Sequence, residues 1–356
     1  METEQHYTTT SYREEVTTMK DLFGGTIAAV AGAALVCLAA GGTAAAQGNT
    51  AQQLQEQWNK DVVGKTVVYI PVAYSVPLTR IWGEQMQMIA DHLGIKFQVR
   101  DPNFDTAREE QLLQAEIGQH PDVLIVHNPN VQVLAPALQQ AENAGIYVIQ
   151  INMASRYKSD AFIGVQPNEL GVQMADAVVK ACGGPGASHK IALMDGEVTS
   201  AYSLGIMEGA TSVFKQHPDI QIVSNQAANW DSKTAHDKAA TVLQANPDLC
   251  GYMGWWSGQD SGIAQAVKQA GLLGKVKIFT TDGGEPPACE YLKEGLFYED
   301  FIYPAVLQAD QMMSTAVTLL QSKMKPGTMH ITVFSPVIPT TAENVTPTSC
   351  TELSKK

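Results

Sequence analysis

Asp282 begins the Asp-Gly-Gly end of the run VKIFTTDGG at residues 276–284, in which Val276, Ile278 and Phe279 read as a short buried strand. An acid at the carboxyl end of a parallel strand, followed by glycines, stands where open α/β sheets hold ligands. The same carboxylate could instead cap a helix beginning near Pro286. Other segment ends carry aromatic faces and neutral hydrogen-bonding groups. These are Tyr74, Ser75 and Thr79; Asn152 and Met153; Ser203; Trp230 in Asn229-Trp230-Asp231; the pair Trp255-Trp256; and Tyr303. Such a set suits stacking and hydrogen bonding of a small solute.

Bond-making chemistry has no comparable anchor. Neither Ser257 nor Ser261 sits in Gly-x-Ser-x-Gly. His127, His189 and His236 have no partners at metal-ligand spacing, so no metal is expected. The glycine-rich stretch at 183–190 resembles a phosphate loop, but His189 precedes its Lys190 and a strand follows it rather than precedes it. Asp282 and Asp231 lack the rest of an active site. No catalysis and no cofactor are expected.

A chain of 356 residues, 45% apolar and 17% charged, has room for two well-cored domains. The formal net charge of -13 argues against a nucleic-acid partner. The amino terminus reads as an export segment. Lys20 precedes a small-residue apolar run that ends Thr43-Ala-Ala-Ala-Gln47, a site for cleavage after Ala46, and the preceding polar residues suggest a true start at Met19. A retained anchor is the rival reading. Bulky Val36 before Cys37 argues against a lipid-modified cysteine. Beyond this segment remain Cys182, Cys250, Cys289 and Cys350, an even number that permits two disulfides in any of three pairings.

From residue 66 onward, short apolar runs alternate with amphipathic stretches of ten or more residues. Runs at 66–70, 97–99, 122–126 and 146–151 form one block, and runs at 190–194, 220–223, 251–254, 276–279 and 296–302 a second. Residues 47–64 read as a leader. The alternation predicts parallel sheets with right-handed crossovers, hence two similar doubly wound α/β lobes. Their strand ends would face one cleft.

This pattern, with the export segment, resembles the periplasmic sugar-binding proteins of ABC transporters, the ribose-binding-like group. The matching pieces are Val76-Pro77, DVLIVHNP from Asp122, AGIYVI from Ala144, Glu208-Gly209, Ala270-Gly271 and TTDG from Thr280, in order across about 65–338. The resemblance implies a type I periplasmic binding protein with three hinge crossings, near 165–168, 303–305 and 325–330. One lobe would hold 65–165 plus 305–325, the other 166–304 plus 330–345, leaving 346–356 as a tail. It implies a monomeric periplasmic protein that closes on a small sugar or polyol and docks on an inner-membrane permease. Asp282 would accept sugar hydroxyls and Trp230 lie against the ring face. Asn152 stands where the family has Asp. Met153 and Leu204 stand where it has sugar-clamping arginines, Leu78 and Thr79 where it has an aromatic pair, and Trp256 where it has Asn. Losing those donors argues for a smaller or partly deoxygenated ligand, packed against Trp230, Trp256, Tyr74 and Met153, with Asp282 as its principal charged contact. The alternatives are a cationic or aromatic solute held in an aromatic cage, and a secreted sensor partner that uses the same closure.

Overall fold

The computed structural model describes residues 50–350. The export segment and its cleavage site lie outside the described residues. In chain order the first half comprises α1 (Thr50–Asp61), β1 (Thr66–Ile70), α2 (Pro77–Leu93), β2 (Lys96–Val99), α3 (Thr106–Gln119), β3 (Val123–Val126), α4 (Ala135–Asn143), β4 (Tyr147–Ile151), β5 (Ala161–Gly164) and α5 (Pro167–Cys182). There follow β6 (Lys190–Asp195), α6 (Ala201–Phe214), β7 (Gln221–Ala227), α7 (Ser232–Ala245), β8 (Gly251–Gly254), α8 (Ser257–Gln269), β9 (Lys277–Asp282), α9 (Pro286–Lys293) and β10 (Glu299–Ile302). The chain continues through α10 (Ala305–Ser322), β11 (Ile331–Phe334) and β12 (Ile338–Thr340).

The strands make two six-stranded sheets, ordered β11-β5-β4-β3-β1-β2 and β12-β10-β9-β8-β6-β7. All pairs are parallel except β10 with β12. Central strands such as VLIV of β3 and YVIQI of β4 are buried throughout, as a sheet covered by helices on both faces requires. Local chemistry sets the helix ends. Pro77 opens α2, and Gly94, left-handed at φ 72°, closes it. The Asp231 side chain accepts from Thr234 N and starts α7.

The chain passes between the sheets three times. It leaves the first sheet after β5 and returns after β10, with α10 packing on α2. The last crossing differs from expectation. The run ITVF pairs with β5 in the first sheet, and only β12 joins the second, so the chain crosses at 335–337 rather than 325–330. Residues 331–334 therefore belong with the amino-terminal lobe. The cause is an open edge beside β5, a strand the apolar pattern did not reveal. Ser335 fastens the join, its N–H donating to the Gly164 carbonyl at 2.7 Å and its Oγ to Gln311 Oε1 at 2.8 Å.

Two disulfides, Cys182–Cys250 and Cys289–Cys350, settle the open pairing. The first ties the end of α5 to the start of β8, and the second ties α9 to the carboxyl-terminal segment. Among the described residues no helix is long and apolar enough to cross a membrane.

Candidate ligand-binding cleft

The carboxyl ends of both sheets meet around one inner cavity with an empty volume of about 490 Å³. The first lobe supplies Val72 and Val76 after β1, Leu78 and Thr79 from the first turn of α2, Phe104 after β2, His127 after β3, and Asn152 and Met153 after β4. The second supplies Tyr202 from α6, Trp230 after β7, Trp255 and Trp256 after β8, and Tyr303 after β10. None of these side chains is an acid, a lysine or an arginine.

Backbone geometry places the aromatic wall. Asn229 and Trp230 are both left-handed, at φ 54° and 65°, and the Trp230 N–H donates to Gln259 Oε1 at 2.9 Å. The Trp230 ring lies over Gly196, where a Cβ would sit 2.1 Å from it, so any larger residue there displaces the indole. Tyr202 packs between Trp230 and Tyr303, with ring centroids 6.4 and 6.5 Å away. The hydroxyls of this group are spent internally. Tyr303 donates to Tyr202, Tyr202 faces Thr281 Oγ1 at 3.4 Å, and Thr281 donates to the Phe301 carbonyl at 2.7 Å. Burial raises both tyrosine pKa values, so both stay protonated. Trp256 Nε1 donates to Glu285 Oε1 at 2.8 Å.

The opposite wall keeps unused polar atoms. Burial depresses the His127 pKa to about 3, so the ring is neutral; it meets Trp82 edge-on at 5.3 Å, and its Nδ1 has no partner. Asn152 Oδ1 accepts from Gln308 Nε2 at 2.9 Å, and Gln308 Oε1 accepts from Trp82 Nε1 at 3.1 Å. Trp255 Nε1, across the cavity, is also buried without a partner. The Thr79 hydroxyl turns away, donating to the carbonyls of Ala73 and Val76.

Of the residues singled out in the sequence, Trp230, Asn152, Trp255, Trp256, Met153, Thr79 and Tyr303 reach the cavity. Four do not line it. Asp282 is fully buried behind the wall, where Ser257 Oγ and the Gly284 N–H donate to its oxygens. Tyr74 lies over Gly83 of α2. Ser75 borders a separate space with Trp256, Ser257 and Glu285. Ser203 is buried in α6, its N–H held by the Ser200 cap, and the neighbouring Leu204 is half exposed. Sequence reasoning missed Tyr202, His127 as a wall residue, and Phe104, whose signal was the turn sequence Asp101-Pro102-Asn103 before it.

A periplasmic binding protein domain model matches residues 67–324. The chain belongs to that family. Among its relatives is the D-allose-binding periplasmic protein of Escherichia coli K12, 31% identical over 43% of this chain and 51% of that protein, so the match spans about half the relative's length. The D-apiose import binding protein of Actinobacillus succinogenes is 23% identical over 72% of this chain and 84% of that one. A solute-binding protein from Burkholderia graminis, solved with D-arabinose, has the same fold: TM-score 0.73, 21% identity, covering 80% of this chain and 98% of that one.

In this periplasmic binding protein domain, Asp282 belongs to a buried acid group with Asp260, Glu285 and Asp300, each at most 2% exposed. Burial comes first in raising every one of these carboxyls. It brings Asp260 to about 7 and, with the charge of Asp282 added, Glu285 to about 8. Asp260 is held by Thr280 Oγ1 at 2.7 Å and by the Trp256 N–H at 3.3 Å. Glu285 also receives the Leu78 N–H from the other lobe, at the start of α2, where no side chain caps the helix. The lobes touch again where the Val131 N–H donates to the Thr199 carbonyl at 3.2 Å and where Leu78 packs on Gly283. The second lobe's acids thus hold its own strand ends and clasp the first lobe. Acids reappear only outside the inner cavity: Glu109, Glu197 and Asp231 border a wider mouth of about 820 Å³.

Proposed function

We propose that this chain captures a small sugar or polyol between its lobes and delivers it to the permease of an ABC importer in the inner membrane. It acts as a monomer in the periplasm, after removal of its export segment, and catalyses no reaction. Closure turns on the three crossings between the sheets. Trp230, Trp256, Tyr303 and Met153 supply the apolar contacts and Asn152 a hydrogen bond, with Thr79 shaping the floor. The observation that carries this reading is an inner cavity walled by strand ends of both lobes, its aromatic rings mostly on the second, with buried unpaired polar atoms at His127 and Trp255. The sugars named for its relatives support the same class of solute.

A cationic solute is the weaker reading, because the inner wall carries no acid. Calorimetric titration with pentoses, hexoses, tetritols, pentitols and quaternary amines tests the choice. A sugar or polyol should bind and raise the melting temperature, by about 4 kcal/mol of stability at a thousand times its dissociation constant. Response to the amines alone would refute sugar capture.

A further inference from the structure

Of the four clustered acids, Glu285 is the one whose burial depends on the other lobe. Asp260 and Asp282 are held within the second lobe, by Thr280 and the Trp256 N–H and by Ser257 and the Gly284 N–H, and Asp300 pairs with Asp282. Glu285 instead spans the cleft. It accepts the Trp256 Nε1–H at 2.8 Å from its own lobe and the Leu78 N–H from α2 of the first. Ser75, Val76 and Pro77 of the first lobe border the same space, and Glu285 is only 2% exposed. Burial first, then the Asp282 charge, raises its carboxyl to about 8; the Trp256 and Leu78 N–H groups and Arg80 of α2 act the other way. Arg80 is half exposed and lies 3.9 Å from Glu84. Asp300, Asp260 and the Tyr303 hydroxyl belong to the same titrating cluster.

We propose that Glu285 is a closure latch: it takes up a proton as the lobes shut, so the solute is held more tightly at lower pH. It is a positioning residue, tying Trp256 of the aromatic wall to the first lobe when the cleft is closed. This rests on the sugar-capture reading and adds a regulation to it. Parting the lobes takes the Leu78 N–H away with α2 and wets the carboxyl, which then ionises in the ordinary carboxylate range. Closed, it keeps its proton up to about pH 8. Between those two values affinity falls by up to about tenfold per pH unit as pH rises, and above the closed value it levels off. Burying His127 works in the opposite sense, shedding a proton, but only near and below its ordinary value of 6.5.

The test is calorimetric titration of the purified full chain with D-ribose, D-arabinose, D-allose and xylitol between pH 7 and 9, in buffers of different ionisation enthalpy. Whichever probe binds should lose about fivefold or more in affinity from pH 7 to pH 9, and binding at pH 7.5 should take up more than about half a proton. Glu285→Gln stays neutral at every pH and keeps an oxygen for the two N–H donors. It should abolish the uptake, flatten the profile and bind more tightly than the unaltered chain at pH 9. A merely structural brace would instead weaken binding by the same factor at every pH. Binding by the unaltered chain with no proton uptake, or a Glu285→Gln variant that kept the full pH profile, would overturn the latch while sugar capture stood. If no probe bound, both would fall.

Discussion

The two walls of the cavity are built on opposite plans. The first lobe presents mostly aliphatic side chains beside His127 and Asn152; the second presents four aromatic wall residues from three loops, with Tyr202 from a helix, and pairs most of its hydroxyls internally while Trp255 Nε1 stays unpaired. The second lobe also holds the clustered buried acids Asp260, Asp282, Glu285 and Asp300 and both disulfides found among the described residues. The difference teaches that an acid at a strand end need not line the cavity. Asp282 organises Ser257, Gly284 and Asp300 so that the loops carrying the aromatics stay in place. One wall is aromatic with an unpaired indole N–H at Trp255, and the other adds the polar groups of His127 and Asn152.

If the second wall depends on its braces, removing the largest brace should hurt most. Replacing Cys182 and Cys250 together by Ser should cost about 2–5 kcal/mol in denaturant unfolding, because the bond closes a chain separation of 68 residues. An unchanged midpoint would mean that the second lobe needs no such tie. Trp230→Ala should weaken ligand binding by about 2–3 kcal/mol, roughly 30- to 150-fold, by calorimetry, with the free protein still folded. Asp282→Ala strands the Ser257 hydroxyl and the Gly284 N–H, and should lower the free protein's stability by about 1–3 kcal/mol.

The buried acids also predict a pH slope. Asp260 and Glu285 have folded pKa values raised from 3.8 and 4.5 to about 7 and about 8. Their folded forms hold protons that the unfolded chain has released, so the stability they confer is full below about pH 4 and is lost as pH rises through the folded values. Between about pH 6.5 and 8, His127, with its depressed pKa, adds no slope. The melting temperature should therefore fall across that window, each acid costing up to about 1.4 kcal/mol per pH unit until its folded value is passed. Glu285→Gln should flatten the fall, and a slope unchanged by it would remove Glu285 from the account.

Much of the fold was legible because strands buried on both faces and helices with one apolar face alternate with clear punctuation. The limits were local. Strand β5 is only four residues long and follows a polar stretch, so it looked like loop, and the edge it offers to Ile331–Phe334 was invisible. The aromatic half of the site was readable because Trp230, Trp256 and Tyr303 stand at strand ends. Asp282 stands there too, yet burial depends on neighbours far away in sequence, such as Ser257 and Asp300, and no periodicity encodes them.

On the proposed reading the solute meets the aromatic wall and not the acid behind it. The most direct measurement is a paired titration of Trp230→Ala and Asp282→Asn with whichever sugar binds the unaltered chain. The tryptophan variant should lose about thirtyfold or more in affinity and the asparagine variant should change within about threefold. The reverse order, with Asp282→Asn abolishing binding in a folded protein whose Trp230→Ala form binds normally, would contradict it.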